Sequence, residues 1–309
     1  MPSIYEAVPA ADPKISVISF CLNGAEFLRE TIASVLGQTY TNYEIVVKDG
    51  GSTDGTIDIL KEYPQIRWVS EKEGGDNPTL DAIWQAFRMS RGEYIVYLAV
   101  SDGLMNRDWF KRCVAILDAD QEVSWVWGLP QNMSEEGHLE DVVRPEYLRF
   151  AVPQKMDFLP YWLACGHAME SNACFRRCVF ETCFPTNHPE DPFRFHSTLG
   201  FNYRLNTMGY LPYFIPTVSY FGRRHGRQRQ ESYEALLDSV CKRYYRDIDA
   251  YRRDLLSGRV VHRFRDGSSK VIREVTPDEL SRSRMKVRGY RLRMKIRRDL
   301  QKLLDHIRM

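Results

Sequence analysis

The feature that most restricts this chain is the regular exchange, over its first hundred residues, of short apolar β-rich runs with segments of helical periodicity. Ile15 to Cys21 is such a run. It is followed by Asn23-Gly24 and by apolar residues at Phe27, Leu28, Ile32, Val35 and Leu36, the spacing of a helix face. Tyr43 to Val47 predicts a second strand and Ile66 to Val69 a third, separated by a Gly/Asp-rich turn and a helix beginning near Ile57, which Thr53 or Asp54 is placed to cap. Leu80 to Met89 predicts a helix. Tyr94 to Val100, apolar almost throughout, suits a central parallel strand covered on both faces. Helical stretches of this length between strands call for right-handed βαβ crossovers and an open α/β sheet. Further on, Trp109 to Leu117 reads as a helix, Val123 to Trp127 as a strand, Phe175 to Cys183 as mixed, and Pro185 to Pro192 as irregular and polar. Beyond Gly226 helical patterns dominate, apart from a strand or loop at Arg259 to Phe264, and the chain holds no internal repeat.

In an open α/β sheet, ligands bind outside the carboxyl ends of the strands. Three polar loops fall there: Cys21-Leu22-Asn23, Asp49-Gly50-Gly51 and Ser101-Asp102-Gly103. The second opens the run Asp49-Gly50-Gly51-Ser52-Thr53-Asp54-Gly55-Thr56. Its glycines allow close backbone approach, and Asp49 is able to accept hydrogen bonds from an N–H or a ribose hydroxyl. It is neither a GxxxxGK phosphate loop nor GxGxxG, and alone such a run is an ordinary turn.

Charge divides the chain unevenly. Residues 1–258 carry 27 basic and 35 acidic groups, whereas 259–309 carry 16 and 6, so the basic charge sits at the C-terminal end. No apolar run approaches the ~20 residues of a spanning helix, and the N-terminal segment lacks the pattern of a secretion signal, which leads to a cytoplasmic expectation. Seven cysteines without framework spacing fit reduced thiols. Cys174, Cys178 and Cys183, with His167 and His188, lack the paired spacing of a zinc site and read as packing thiols. The Asn132-Met133-Ser134 sequon carries no meaning in a cytoplasmic chain.

Taken in order, several motifs resemble those of family 2 glycosyltransferases of the GT-A fold. Ser34-Val35-Leu36-Gly37-Gln38-Thr39-Tyr40-Thr41-Asn42-Tyr43-Glu44 matches the family's SVxxQxYxNxE segment, and Asp49 to Thr56 its DGGSTDGT loop. Trp68-Val69-Ser70-Glu71 and Asp81-Ala82 resemble its donor segment, and Gly92-Glu93-Tyr94 leads into the strand before its metal motif. The likeness is specific over residues 13–105. It recurs at Phe175-Arg176-Arg177, Tyr203-Arg204-Leu205, Gly209-Tyr210 and Arg224-His225-Gly226.

The resemblance implies a GT-A domain over 13–225, Rossmann-like with a mostly parallel sheet flanked by helices, and a helical basic C-terminal extension over 226–309. It implies inverting transfer of a hexosyl or N-acetylhexosaminyl unit from a nucleotide-sugar donor, expected to be UDP-linked, to a glycan or lipid-linked glycan acceptor, as in bacterial surface-polysaccharide synthesis. Asp49 and Asp81 match positions that hold base and ribose, Phe20 or Cys21 would flank the base, and Asn23, Gly50 and Ser101 complete the donor set. The alternative for Asp81 is an exposed helix acid. Asp102 and His225 match the site of a Mn or Mg ion. In Leu98-Ala99-Val100-Ser101-Asp102-Gly103, however, only one carboxylate stands where relatives commonly have two or three, so diphosphate oxygens would have to complete the coordination; Arg223, Arg224 and Arg227 offer neutralisation without metal. Asp191, with Glu190 and Glu170 behind it, is the expected general base, although aligning back from Arg204 puts Thr198 at the acid's position. The alternative for the Glu190-Asp191 pair is a solvated loop.

The last segment reads as a basic amphipathic helix. Leu292, Ile296, Leu300, Leu303, Leu304 and Ile307 form a stripe, flanked by Arg291, Arg293, Lys295, Arg297, Arg298 and Lys302. Such helices lie on anionic membranes, where each nearby cation contributes roughly 1 kcal/mol; this places the chain on the inner face of the plasma membrane. A packing or dimer helix is the alternative. A nucleic-acid partner is not expected, since Tyr290 is the lone aromatic there. Two rival classes remain: a degenerate nucleotide-binding scaffold, motivated by Ala99, Val100 and Ser101, and a sugar nucleotidyltransferase, whose Gly-rich Arg/Lys loop is missing.

Overall fold

The computed structural model describes residues 3–5, 12–72, 74, 77–143, 173–194, 197–208, 210–226, 253, 256–263, 268–282, 284–285, 288–289, 292 and 296. Its strands are β1 (Ser3–Tyr5), β2 (Ile15–Cys21), β3 (Tyr43–Asp49), β4 (Ile66–Ser70), β5 (Tyr94–Tyr97), β6 (Gly103–Leu104), β7 (Val123–Met133), β8 (Leu139–Val142), β9 (Cys174–Arg176), β10 (Leu211–Arg223), β11 (Arg259–Arg263) and β12 (Ser269–Glu274). The helices are α1 (Ala25–Leu36), α2 (Thr56–Lys61), α3 (Pro78–Met89), α4 (Trp109–Ala119), α5 (Arg177–Cys183) and α6 (Ser197–Thr207).

The sheet runs β1-β4-β3-β2-β5-β9-β7-β10-β6, with β8 paired to β7. β4, β3, β2 and β5 are parallel, as their crossover helices require. β9 enters antiparallel to both β5 and β7, while β7 and β10 are parallel to each other, so the whole is α/β with a mixed, largely parallel sheet. From β2 the chain crosses to β3 on one side and lies against β5 on the other. The crevice between the carboxyl ends of β2 and β5 is therefore the topological switch point.

Alternation along the strands sends side chains into two layers. Val17, Ile45, Val47 and Val96 meet α1 (Leu28, Ile32, Val35), α2 (Leu60) and α4 (Trp109, Phe110, Leu117) on one face. Ile18, Val46 and Ile95 meet α3 (Leu80, Ile83, Phe87), α5 (Val179, Phe180) and α6 (Phe201, Leu205) on the other. The second layer is rich in aromatic pairs: the Phe180 and Phe184 rings stack at 4.6 Å and Phe175 meets Phe201 at 4.7 Å.

Several motif residues turn out to be joints of this scaffold. The Gln38 side chain accepts the N–H of Phe110 and donates to the Asn106 carbonyl, tying the end of α1 to the start of α4. Glu44, nine-tenths buried, accepts the Ser16 hydroxyl at 2.6 Å and pairs with Arg67 at 3.1 Å.

The expected elements differ from the observed ones at a few places. The strand anticipated over Tyr94 to Val100 ends at Tyr97, because the chain turns: Asp102 N–H donates to the Ala99 carbonyl, and Ser101 takes φ 126°. The anticipated strand at Val123 continues to Met133, and β10 and β12 join the expected set. α2 starts after Gly55 rather than after a side-chain cap, although Asp54 does accept the Thr56 N–H at 3.1 Å. Past 226, described residues form the β11–β12 hairpin as well as helix, and Val275 packs into the layer that holds α3 and α5. No helix among the described residues is long and apolar enough to cross a membrane.

Candidate active site

At the switch point the loops after β2 and β3 are laced together. Gly50 N–H donates to the Cys21 carbonyl at 2.9 Å, Asn23 N–H to the Ser52 hydroxyl at 2.7 Å, Thr53 N–H to the Asn23 carbonyl oxygen Oδ1 at 2.9 Å, and Gly24 N–H to the Thr56 hydroxyl at 2.9 Å. Asn23 holds a left-handed φ of 53°, tolerable for asparagine, which lets its backbone and side chain both face the second loop. Asp54 accepts from Ala25 N–H in α1 and from Thr56 in α2, so one carboxylate serves two helix N-termini. Burial opposes its charge, but the Thr56 hydroxyl and these N–H donors outweigh it and hold the acid below the ordinary carboxylate range.

Asp49 is the centre of the lacing. It is fully buried, and Oδ2 accepts Gly51 N–H, Ser52 N–H and the Ser70 hydroxyl at 2.9, 2.9 and 2.6 Å, while Oδ1 accepts the Ser52 hydroxyl and the Cys21 thiol. Both oxygens of Asp49, expected to grip base or ribose, are engaged by loop and strand donors in this structure. Asp49 shapes the loop by holding Gly51, which is exposed, and Ser52, which is half-buried, with half-buried Gly50 between it and them. The Cys21 thiol, pushed up by burial and by Asp49, stays protonated.

The loop after β5 closes the other side of the crevice. A side chain at Gly24 would meet Val100 Cγ1 at 3.0 Å, which shows how tightly the two loops abut. Ser101, itself buried, keeps its strained φ because Thr31 of α1 accepts its N–H at 3.3 Å and donates to the Asp102 carbonyl at 2.7 Å. The Asp102 carboxylate accepts the Arg223 N–H at 3.3 Å, linking this loop to the end of β10. Arg223 is nearly fully buried: its guanidinium pairs with Glu30 of α1, donates to the Ser134 and Glu135 carbonyls, and lies 5.0 Å over the Phe27 ring. Arg223 is thus a clamp of the site and not a cation left over for a diphosphate. Two residues on, the His225 ring lies 4.9 Å from Phe27. Asp102 and His225 therefore flank the same helix, α1. Arg227 and Glu170 lie outside the described residues.

A shelf of aromatic side chains borders the crevice on the α3 side. Phe20 and Tyr97, both half-buried, are parallel at 6.1 Å, and Phe184 meets Tyr97 edge-on at 5.9 Å. Burial and the nearby Asp102 push the Tyr97 hydroxyl far up, so it is a neutral donor. Sequence reasoning missed Tyr97, Thr31 and Glu30. Only the alternation of β5 hinted at the first, and nothing local marks the other two.

The start of α3 carries the remaining candidates. Asn77 caps it by accepting Leu80 N–H and donates to the Arg194 carbonyl, and Asp81 accepts the Asn187 side-chain N–H at 2.7 Å. Half-buried Asp81 thereby holds the 185–194 loop through Asn187. In that loop Asp191 is buried, ion-paired with Arg204 of α6 at 2.8 Å, and accepts the N–H groups of Thr186 and Phe193 at 2.8 and 3.0 Å. Burial raises its proton affinity, but Thr186, Arg204 and Phe193 together hold it below the usual carboxylate range. In this structure the Asp191 carboxylate, expected as the general base, is held by Arg204 and by the Thr186 and Phe193 N–H groups. Glu190 beside it is exposed.

Among the described residues no cluster of three His, Cys, Asp or Glu side chains could hold a metal alone. Asp102 and His225 are one carboxylate and one imidazole. A hard cation that keeps waters and takes phosphate oxygens needs no more than one or two protein ligands, so the pair fits a cation arriving with a diphosphate. The described cysteines, Cys21, Cys113, Cys174, Cys178 and Cys183, are thiols outside any disulfide.

The profile described as Glycosyl transferase family 2 matches residues 16–184. Chondroitin synthase of Escherichia coli is 30% identical over 131 residues, covering 41% of this chain and 18% of that protein. The PGL/p-HBAD biosynthesis glycosyltransferase of Mycobacterium bovis is 30% identical over 121 residues, 38% of this chain and 47% of the relative. The chain thus spans less than half the length of these relatives. Among solved structures, S. aureus TarS 1-349, in complex with UDP-GlcNAc, superposes with a TM-score of 0.51 at 17% identity over 79% of this chain and 70% of that one, a likeness of fold.

Proposed function

The chain belongs to glycosyl transferase family 2, and from that premise we propose that it is an inverting glycosyltransferase, moving a hexosyl or N-acetylhexosaminyl unit from a UDP-linked donor to a hydroxyl of a glycan or lipid-linked glycan. The observation that carries the proposal is the gathering of the Asp49 loop, Asp102 and the 223–225 segment around the first turns of α1 at the switch point. The relatives it matches are named for chondroitin synthesis and for PGL/p-HBAD biosynthesis, and the TarS structure holds UDP-GlcNAc. A role in bacterial surface-polysaccharide synthesis, in the cytoplasm, follows the same line. Residues 13–225 form the catalytic unit in this reading and 226–309 its accessory region.

The nucleoside lies along the rim made by Gly50 and Ser52, with Phe20 and Tyr97 as its apolar border and Asp81 at its far side. The diphosphate points toward Asp102 and His225. It does not use the N-termini of α1 and α2, since Asp54 already fills both. A Mn or Mg ion carried by the diphosphate and held by Asp102 and His225 would neutralise the charge that develops on the leaving group. In a single displacement the acceptor oxygen bonds to the anomeric carbon as the nucleoside diphosphate departs, and its proton passes to a carboxylate. With Asp191 committed to Arg204, exposed Glu190 is our choice of base.

The test is release of nucleoside diphosphate from UDP-, GDP- and dTDP-sugars with Mn or Mg, with and without glycan acceptors. Glu190→Gln should lower kcat by about 10²–10⁴-fold with little change in donor affinity. The sparse acid content of the Asp102 loop favours one second reading, a nucleotide-binding module without turnover; it is the outcome if UDP binds and no sugar donor is consumed under any condition.

A further inference from the structure

We propose that the helix starting at residue 277 is a docking surface for an anionic lipid bilayer. Its root is fixed on the protein. Thr276 and Glu279 form a reciprocal cap, the Thr276 N–H donating to Glu279 Oε2 at 2.9 Å and the Glu279 N–H to the Thr276 hydroxyl at 3.3 Å, with Pro277 at the first helical position. Val275 is buried in the α3–α5 layer and Leu280 packs against it.

Beyond Leu280 the described residues lie at the surface, all of them exposed except half-buried Gly289. The described residues 281, 282, 284, 285, 288, 289, 292 and 296 are all helical, and Met285, Leu292 and Ile296 are 62%, 60% and 50% exposed. Steps of seven and four residues put these three on one stripe. At helical pitch Arg282 and Arg288 fall on either side of that stripe, with Arg284 further round, and all three are exposed. From Ser281 onward the chain carries eleven basic residues against two acidic ones.

That combination selects the occupant. An apolar stripe left in water is costly. A second copy covering it would bring two arginine-lined helices together and repel, and a phosphate backbone gives apolar side chains nothing to bury against. A bilayer containing anionic lipid satisfies both halves: Met285, Leu292 and Ile296 enter the acyl boundary while the guanidinium groups stay among headgroup phosphates. Such a surface would hold the site next to acceptors carried on lipid. Vesicle binding needs neither donor nor acceptor, so its outcome is separate from that of the transfer reaction.

The test is co-flotation of the full chain with vesicles of phosphatidylcholine containing phosphatidylglycerol, and with phosphatidylcholine alone, at low and high salt. Binding is expected on the anionic vesicles only and should fall as salt rises. The triple variant Arg282→Gln/Arg284→Gln/Arg288→Gln should lose about a hundredfold in partition at low salt, and Leu292→Asp/Ile296→Asp at least tenfold. Because these side chains are exposed, both variants should keep the parental melting temperature, measured alongside. Equal binding to uncharged vesicles, no binding by the parent chain, or unchanged partition of either folded variant overturns the proposal. So does a concentration-dependent dimer that the Leu292→Asp/Ile296→Asp variant abolishes without any vesicle binding, which assigns the stripe to a second copy.

Discussion

Replacing Asp191 by asparagine separates an anchoring role from a catalytic one. The carboxylate is 4% exposed and Arg204 12%, at 2.8 Å, and two backbone N–H groups also point at Asp191. Asparagine leaves the Arg204 charge buried without a counter-charge and turns an amide N–H toward donors. Breaking a buried pair from one side costs about 3–5 kcal/mol, which for a chain of this size lowers the melting temperature by roughly 10 °C. Because the folded acid is held below its unfolded value of about 3.9, this stabilisation is fully present above that pH and is lost as pH falls through the folded value. Thermal melts of both proteins at pH 7 and in steps below pH 4 should therefore converge in acid. Donor turnover, measured well below both melting temperatures, should drop far less than for Glu190→Gln. A variant that melts with the parent at pH 7 yet loses turnover by more than a hundredfold would refute this reasoning and restore Asp191 as the base.

Other consequences are as direct. Asp102→Ala should abolish any Mn dependence of UDP affinity in calorimetric titration; an unchanged Mn effect removes Asp102 from the cation site. Asp49→Asn should weaken UDP binding about tenfold or more through collapse of the loop rather than loss of a contact, and should also lower thermal stability by about 1–3 kcal/mol, because Gly51, Ser52 and Ser70 all donate to it; an affinity loss without a stability loss would restore the direct contact. Ser101→Gly should relieve the φ 126° backbone and raise stability by about 1 kcal/mol, seen as a higher urea midpoint, whereas Ser101→Val should lower it. Arg223→Met should lower the melting temperature and weaken Mn-dependent UDP binding together, since the clamp serves both; loss of one alone would break that link.

The strand and helix alternation, the three polar loops and their meeting at one sheet edge were all legible in the chain itself, because the two side-chain periods and the rule for open α/β sheets are local statements about backbone geometry. The motif residues were found but not the contacts that hold them. Gln38 and Glu44 tie helices and strands together, and the Asp49 carboxylate is engaged by its own loop and by both neighbouring strands. Whether a carboxylate faces solvent or five donors depends on which loops lie beside it. Ser52 and Gly51 are neighbours in sequence, but Cys21 and Ser70 reach Asp49 only because β2 and β4 flank β3.

Tertiary placement alone decided the rest. Arg223 looked like one of several tail-side cations, and it became a clamp only when β10 brought it between Glu30 and the β7–β8 turn, nearly two hundred residues from its acidic partner. Asp191 was taken as the nearest acid to a motif position that Thr198 occupies, and the packing of α6 sets Arg204 against it. The basic, apolar-striped end of the chain was readable as an amphipathic helix. Leu300, Leu303, Leu304 and Ile307 lie outside the described residues; that Met285, Leu292 and Ile296 are exposed while Val275 and Leu280 pack into the core is a property of packing. Periodicity is written residue by residue, whereas the charge state and reach of a side chain are set by neighbours that the fold, not the chain order, puts within a few ångströms.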